Sequence, residues 1–204
     1  MTTQIDKLSE IASEYDVIVF DQWGVLHDGT TPYPGAVAAI EGLTTASAVL
    51  SNSGKRAQPN LERIASMGFA RSAFSNVMTS GEALWQDIHR RNITGRQVLA
   101  VERAPGDAAT WADGLDISLV ATPEAADAIL LMGLPDGTKL DDWQAQLNAW
   151  LDLGLRMYCS NPDRKSPRAD GLVISPGALA FAYQEMGGET FFYGKPRRPV
   201  FRAI

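Results

Sequence analysis

Val17-Ile18-Val19-Phe20-Asp21-Gln22-Trp23-Gly24-Val25-Leu26 is the stretch on which the reading of this chain turns. Four apolar residues in succession predict a strand buried on both faces, as a central parallel strand is. The strand delivers Asp21 at its C-terminal end, and Gly24 stands where the chain must turn. In open α/β sheets, ligands bind beyond the carboxyl ends of the strands. A carboxylate held there by a rigid strand is placed to act as a nucleophile or a metal ligand. An aspartate that only caps the loop is the alternative, and this segment weighs the two evenly.

The alternation of apolar runs and helical stretches continues outward and predicts an α/β fold. Pro34–Thr45 reads as a helix, and Ala48-Val49-Leu50 as a strand running into Ser51-Asn52-Ser53-Gly54-Lys55. Gln58–Met67 is a helix with Leu61, Ile64 and Ala65 on one face, closed by Gly68. Val77 and Met78 lead into Thr79-Ser80-Gly81, a capping signal for a helix over Glu82–Arg91. Gln97–Val101, Ile117–Ala121, Ala128–Met132 and Arg156–Cys159 read as strands, and Ala178–Met186 as a helix. Leu140, Trp143, Leu147, Trp150 and Leu151 fall on one helical stripe, the pattern of core packing rather than of a ligand box. Thr190–Tyr193 is a last apolar run, entering Gly194-Lys195-Pro196.

Bulk composition narrows the classes. With 45% hydrophobic and 21% charged residues in 204, the chain is globular rather than disordered. A net charge of −6 disfavours nucleic-acid binding, which needs a basic surface. Cys159 is the only cysteine, so no internal disulfide forms. Residues 1–15 hold no apolar signal core, and no apolar run reaches membrane-spanning length. The expectation is a cytoplasmic protein with no membrane role.

Asp21, the Ser51-Asn52-Ser53 loop and Lys195 each follow a short apolar strand. If those strands are parallel neighbours, the three groups converge at one edge of the sheet. A carboxylate to attack phosphorus, a hydroxyl with N–H groups to hold phosphoryl oxygens, and an ammonium to offset charge form a phosphoryl-transfer set. Mg²⁺ would complete it by bridging the carboxylate and a phosphoryl oxygen. Taken singly, Ser51 reads equally as a turn residue, and Lys195 as a surface lysine in a turn.

The order Phe20-Asp21-x-x-Gly24-Val25-Leu26, Leu50-Ser51-Asn52-Ser53, Gly194-Lys195-Pro196 resembles the haloacid dehalogenase superfamily of hydrolases. It is most similar to the branch, class IIA, whose α/β cap is inserted between the second and third motifs. Thr79-Ser80-Gly81 matches the turn where that cap begins, Asn161-Pro162-Asp163 a loop within it, and Ser175-Pro176-Gly177 the helix start that follows. The resemblance implies a Rossmann-like core with a parallel sheet over 1–80, an α/β cap over 81–188, and a return to the core over 189–204. It implies Mg²⁺-dependent phosphatase activity on a small phosphorylated metabolite through an aspartyl-phosphate. Asp21 would be nucleophile and metal ligand, and the Trp23 backbone carbonyl a second metal ligand. Ser51 would hold the phosphoryl group and Lys195 would balance charge. Asn52 and Ser53, with Asn161 and Asp163 from the cap, would contact substrate. For Asp163, Arg164 and Lys165 a solvated turn is the even alternative. Spacing agrees on the branch: the roughly thirty residues from Asp21 to Ser51 fit one crossover helix and no inserted domain.

Two departures favour a different class, a catalytically silent binding or regulatory protein. Phosphatases of the superfamily usually carry a second aspartate two residues after the nucleophile, to protonate the leaving oxygen and activate water. Here that position is Trp23, whose indole N–H is a donor of no useful acidity. His27 and Asp28 are nearby substitutes, although Asp28 before Gly29 also reads as a plain turn. Dehalogenation, where no protonation is needed, is a minor alternative, because those enzymes carry their cap between the first two motifs. The second departure is that the sequence reaches Ile204 soon after Lys195, without the acidic fourth motif and its flanking strand. The expectation is a longer natural product or a partner over that edge. Substrate identity is not encoded in any cap residue, with Trp85, Trp111 and Trp143 read as packing groups. Oligomeric state is equally open, with a homo-oligomer through cap or edge as one of the readings.

Overall fold

The structure is a computed structural model that describes residues 4–90, 93, 95–168 and 171–204; Arg91, the expected end of a helix, lies outside these. The chain divides into two compact units, one of residues 1–51, 57–78 and 204, the other of residues 52–56 and 79–203.

In the first unit, β1 (Val17–Phe20), α1 (Ala36–Glu41), β2 (Ala46–Ser51), α2 (Ala57–Ser66) and β3 (Asn76–Thr79) follow in order. The sheet order is β1-β2-β3. β1 and β2 are parallel, with Val17 opposite Ala46 and Phe20 opposite Val49. Leu26, Ile40, Val49, Ile64, Phe69 and Phe74 close the core; of the face predicted for the second helix, Ile64 is buried there and Leu61 packs partly against it, while α2 also buries Asn60. The both-face burial expected of β1 is a correction. β1 is the outer strand of its sheet, and Val17 and Val19 are 46% and 45% exposed. Alternate side chains point to opposite faces, and only the Ile18 and Phe20 face packs inward.

The second unit begins at α3 (Ser80–His89), capped as predicted by Thr79, whose side-chain oxygen accepts the Glu82 N–H at 2.9 Å. It continues with β4 (Gln97–Val101), α4 (Asp107–Ala112), β5 (Ser118–Val120), β6 (Ala128–Leu131), α5 (Gln144–Asp152) and β7 (Arg156–Cys159). A hairpin of β8 (Lys165–Arg168) and β9 (Gly171–Ile174) precedes α6 (Pro176–Glu185), β10 (Thr190–Phe192) and α7 (Arg198–Ala203). Five strands form a wholly parallel sheet in the order β10-β7-β6-β4-β5. Ile129, Leu131, Leu147, Met157, Leu179 and Tyr183 form its core, and Tyr183 Oη donates to Leu155 O at 2.6 Å. Leu147 and Trp150 of the predicted stripe are buried there, while Leu140 lies on a preceding 3₁₀ turn and is exposed.

The expected return of Thr190–Tyr193 to the first sheet is corrected by its pairing. β10 lies against β7, with Thr190 opposite Met157 and Phe192 opposite Cys159. The reason is local. α6 runs immediately before β10, Phe192 stacks on Phe181 of that helix at 4.5 Å, and Phe191 stacks on Tyr158 of β7 at 5.1 Å. A strand and its preceding helix close onto the nearest parallel strand at the smallest cost in ordered chain.

Candidate functional site

In the first unit the register settles where the first two motifs lie. Phe20 stands opposite Val49, so Asp21 and Ser51 emerge at the same carboxyl edge, from adjacent parallel strands. Beyond Asp21 the chain folds into a tight loop. Gln22 O accepts the amides of Val25, Leu26 and His27 at 3.3, 2.8 and 3.2 Å, and Gly24 N–H donates to His27 O at 2.9 Å. Asp21 Oδ1 accepts the Gln22 N–H at 2.8 Å, which orients the carboxylate from below.

Trp23 is built into this loop. A Cβ on Gly29 would stand 2.4 Å from the indole Cη2, so the ring occupies the space a side chain at 29 would need. The His27 ring meets it edge-on at 5.8 Å, and the Arg63 guanidinium carbon lies 5.7 Å from its centroid. His27 is fully buried, and its Nδ1 accepts the Gly29 N–H at 2.9 Å. A neutral imidazole has one acceptor nitrogen, so Nε2 carries the hydrogen, and its 3.5 Å contact with Arg63 Nη2 is no hydrogen bond. Burial, and secondarily the Arg63 charge, lower the His27 pKa and keep the ring neutral. Asp28 is the plain turn residue. Its carboxylate accepts the Thr30 and Thr31 amides at 2.9 and 2.8 Å, and these bonds hold its pKa down to about 2. Both side chains thus hold the turn that follows Trp23.

Arg63 and Gln22 were not singled out from the sequence. Arg63 Nη2 donates to Gln22 Oε1 at 3.1 Å, tying α2 to the loop, while Gln22 is fully buried and its Nε2 has no hydrogen-bond partner among the described residues. The available signal was a pair, Asn60 and Arg63, three residues apart beside Ile64 on the inward stripe of α2.

In the second unit the loops after β7 and β10 meet the segment 52–56. Asn52 Nδ2 donates to Asp163 Oδ1 at 2.8 Å and to Lys195 O at 3.3 Å, and Asn52 Oδ1 accepts the Lys195 N–H at 2.6 Å. One side-chain amide thus grips both main-chain groups of Lys195. Ser53 O accepts the Gly81 N–H at 3.0 Å. Asn161 Oδ1 accepts the Asp163 N–H at 3.1 Å, and Asp163 O accepts the Gly177 N–H at 3.0 Å. The Asn-Pro-Asp loop and the Pro-Gly helix start are therefore one packed corner. Asn52, Ser53, Asn161, Asp163 and Lys195 gather here, with the Asn52 amide spent on protein partners rather than on a ligand. Arg164 turns away, its guanidinium 4.1 Å from the Phe181 ring and 3.4 Å from Glu185. Trp111 is buried and donates to Gly81 O at 3.1 Å, Trp143 packs on Trp150, and Trp85 lies between Arg56 and His89.

Two stability predictions arise from this corner. Gly81 stands in the first turn of α3, where alanine ordinarily gains up to about 1 kcal/mol. A Cβ here would lie 2.0 Å from Gly54 O and 2.7 Å from Lys55 O, both main-chain atoms. Gly81→Ala is therefore expected to destabilise, by about 1–3 kcal/mol in urea unfolding. Asn52→Asp is expected to cost more than Asn52→Ala, although it is the closer isostere, because it sets a carboxylate against Asp163. The excess should shrink as pH falls, because two facing carboxylates repel, which raises their affinity for a proton, and the repulsion is lost once one of them is protonated. Melting curves of both variants across pH check it.

Mg²⁺, which the sequence resemblance implies, takes hard oxygen ligands and keeps several waters. Asp21 and the carbonyl of Trp23 are donors of that kind, two residues apart at a strand end. Among the described residues no three of His, Cys, Asp or Glu are grouped to hold a metal. The donor chemistry fits a sparsely liganded Mg²⁺ that relies on water and a bound phosphate.

Asp21 thus stands at the carboxyl edge of parallel strands, where open α/β folds place their ligand-binding groups, and a second parallel α/β unit follows in the chain. The family model for haloacid dehalogenase-like hydrolases matches residues 18–113. Among solved structures it is similar to a haloacid dehalogenase-like hydrolase from Brucella suis 1330 (28% identity, TM-score 0.88), covering 98% of this chain and 73% of that one. A glycerol phosphate phosphatase from Mycobacterium tuberculosis in complex with magnesium is 22% identical with a TM-score of 0.72, covering 95% of this chain and 58% of that one. A p-nitrophenyl phosphatase from Archaeoglobus fulgidus is 24% identical with a TM-score of 0.67, covering 92% of this chain and 72% of that one. No curated protein matches. No helix among the described residues is long and apolar enough to cross a membrane.

Proposed function

We propose that this chain belongs to a phosphatase-type hydrolase acting on a small phosphorylated compound through an aspartyl-phosphate. The observation that carries the reading is the common edge of Asp21 and Ser51, set by the parallel register of β1 and β2. In the proposed reaction an Asp21 oxygen attacks phosphorus and the bond to the leaving oxygen breaks. The Ser51 hydroxyl holds a phosphoryl oxygen, and the loop hydrogen bonds around Gln22 keep the carboxylate oriented without reorganisation. Water then cleaves the acyl-phosphate bond, releasing phosphate and the free carboxylate. Lys195, on the order of the motifs in the sequence, offsets the phosphate charge, and Asn52 acts by holding the Lys195 backbone. Bound through Asp21 and the Trp23 carbonyl, Mg²⁺ would supply positive charge against the phosphoryl oxygens. Two of the similar structures, a glycerol phosphate phosphatase and a p-nitrophenyl phosphatase, support the reading.

Trp23 favours a second reading, a fold that binds a phosphorylated ligand and does not turn it over. Phosphate release from p-nitrophenyl phosphate by the full-length protein separates the two. Release that requires Mg²⁺ and stops with a chelator supports the hydrolase. Saturable protection of the melting temperature by inorganic phosphate, with no release, supports the silent reading.

A further inference from the structure

Trp23, His27 and Asp28 are the side chains the β1 loop offers in place of a general acid, and each is engaged in the packing or hydrogen bonds of the loop itself. The Trp23 indole fills the space over Gly29 and offers a donor with no useful acidity. His27 is fully buried; its Nδ1 is held by the Gly29 N–H, and its other nitrogen lies 3.5 Å from the Arg63 guanidinium. The Asp28 carboxylate is an acceptor for Thr30 and Thr31 in its own turn. From this placement, and resting on the phosphoryl-transfer reading above, we infer that the substrates are acyl phosphates or similarly activated phosphates, whose leaving oxygen departs without a proton. Asp21 forms its bond to phosphorus as the phosphorus–oxygen bond breaks, and the leaving carboxylate takes the electron pair. A carboxylate, whose conjugate acid has a pKa of about 4, needs no acid catalyst at neutral pH. An alkoxide leaving group does, and general acid help is worth about 10²- to 10⁴-fold. The same loop holds no base to activate water, so hydrolysis of the aspartyl-phosphate is the slow half-reaction. Water adds to phosphorus, the Asp21 oxygen leaves with its electron pair, and the proton of water passes to solvent.

The test is a leaving-group series on the full-length protein with Mg²⁺: acetyl phosphate, p-nitrophenyl phosphate, phenyl phosphate and glycerol phosphate. Intact mass is recorded during turnover. The expected result is a kcat/KM that falls at least about 10²-fold from acetyl phosphate to glycerol phosphate. A transient gain of one phosphoryl group, absent in Asp21→Asn and removed by hydroxylamine, should accompany it. Equal kcat/KM along the series, with the phosphoryl adduct still formed, overturns this inference and leaves the phosphatase reading standing. No adduct and no turnover with any donor overturns both.

Discussion

Asp21→Asn is expected to abolish Mg²⁺-dependent phosphate release, by on the order of 10⁴- to 10⁶-fold, the range seen when a covalent nucleophile is removed. The substitution isolates chemistry from folding. Asn and Asp have the same shape, and the Asn Oδ1 can still accept the Gln22 N–H that Asp21 Oδ1 takes at 2.8 Å. The loop amides converge on Gln22 O rather than on this side chain, so the turn has no reason to open. Thermal unfolding of the variant should therefore match the parent, while the amide can neither form an aspartyl-phosphate nor neutralise a divalent cation. Residual turnover above about a hundredth of the parent would exceed what a lost nucleophile permits and would move the attack to another group.

Trp23→Asp carries the second large effect, and it is a gain. A carboxylic acid at 23 supplies a proton to the leaving oxygen and then a base for water, the two tasks that indole cannot perform. The kcat/KM for alkyl phosphates such as glycerol phosphate is expected to rise about 10²- to 10⁴-fold and that for acetyl phosphate to change little, while kcat rises for both as the aspartyl-phosphate hydrolyses faster. The stability cost follows from what the ring touches. Its packing over Gly29 and its edge contact with His27 are lost, a half-buried aromatic truncation of about 1–3 kcal/mol. The Arg63 guanidinium, 5.7 Å from the indole centroid, is placed to pair with the new carboxylate. Kinetics on both substrates, with a denaturation curve for the same variant, read the two effects separately. An alkyl phosphate rate that does not move would show that something other than proton transfer limits this site.

Much of this was legible in the residues. The apolar run ending in Asp21, the short strand ending in Ser51 and the Thr79 cap are local patterns, set by side-chain periodicity and by orphan amides at a helix start. They appear in the structure where the sequence placed them. The hairpin over Lys165–Arg168 and Gly171–Ile174 was not legible, since Leu172 and Val173 are exposed and leave no alternation to follow. Exposure of β1 was misread because four apolar residues in a row indicate a strand without telling how many neighbours it has.

By itself, then, the sequence determined the α/β class, the strand that bears Asp21, the loops after β2, β7 and β10, and the presence of an indole two residues beyond Asp21. These depend on residues within a few positions of one another. Tertiary structure decided which sheet β10 joins, that the Asn52 amide grips Lys195 and Asp163, and that Arg63 reaches Gln22. It also decided that His27 and Asp28 are committed to their own turn. Each of these is a choice among partners far apart in the chain or rival acceptors within a loop. Long-range packing and hydrogen-bond satisfaction make that choice, and no local pattern records it.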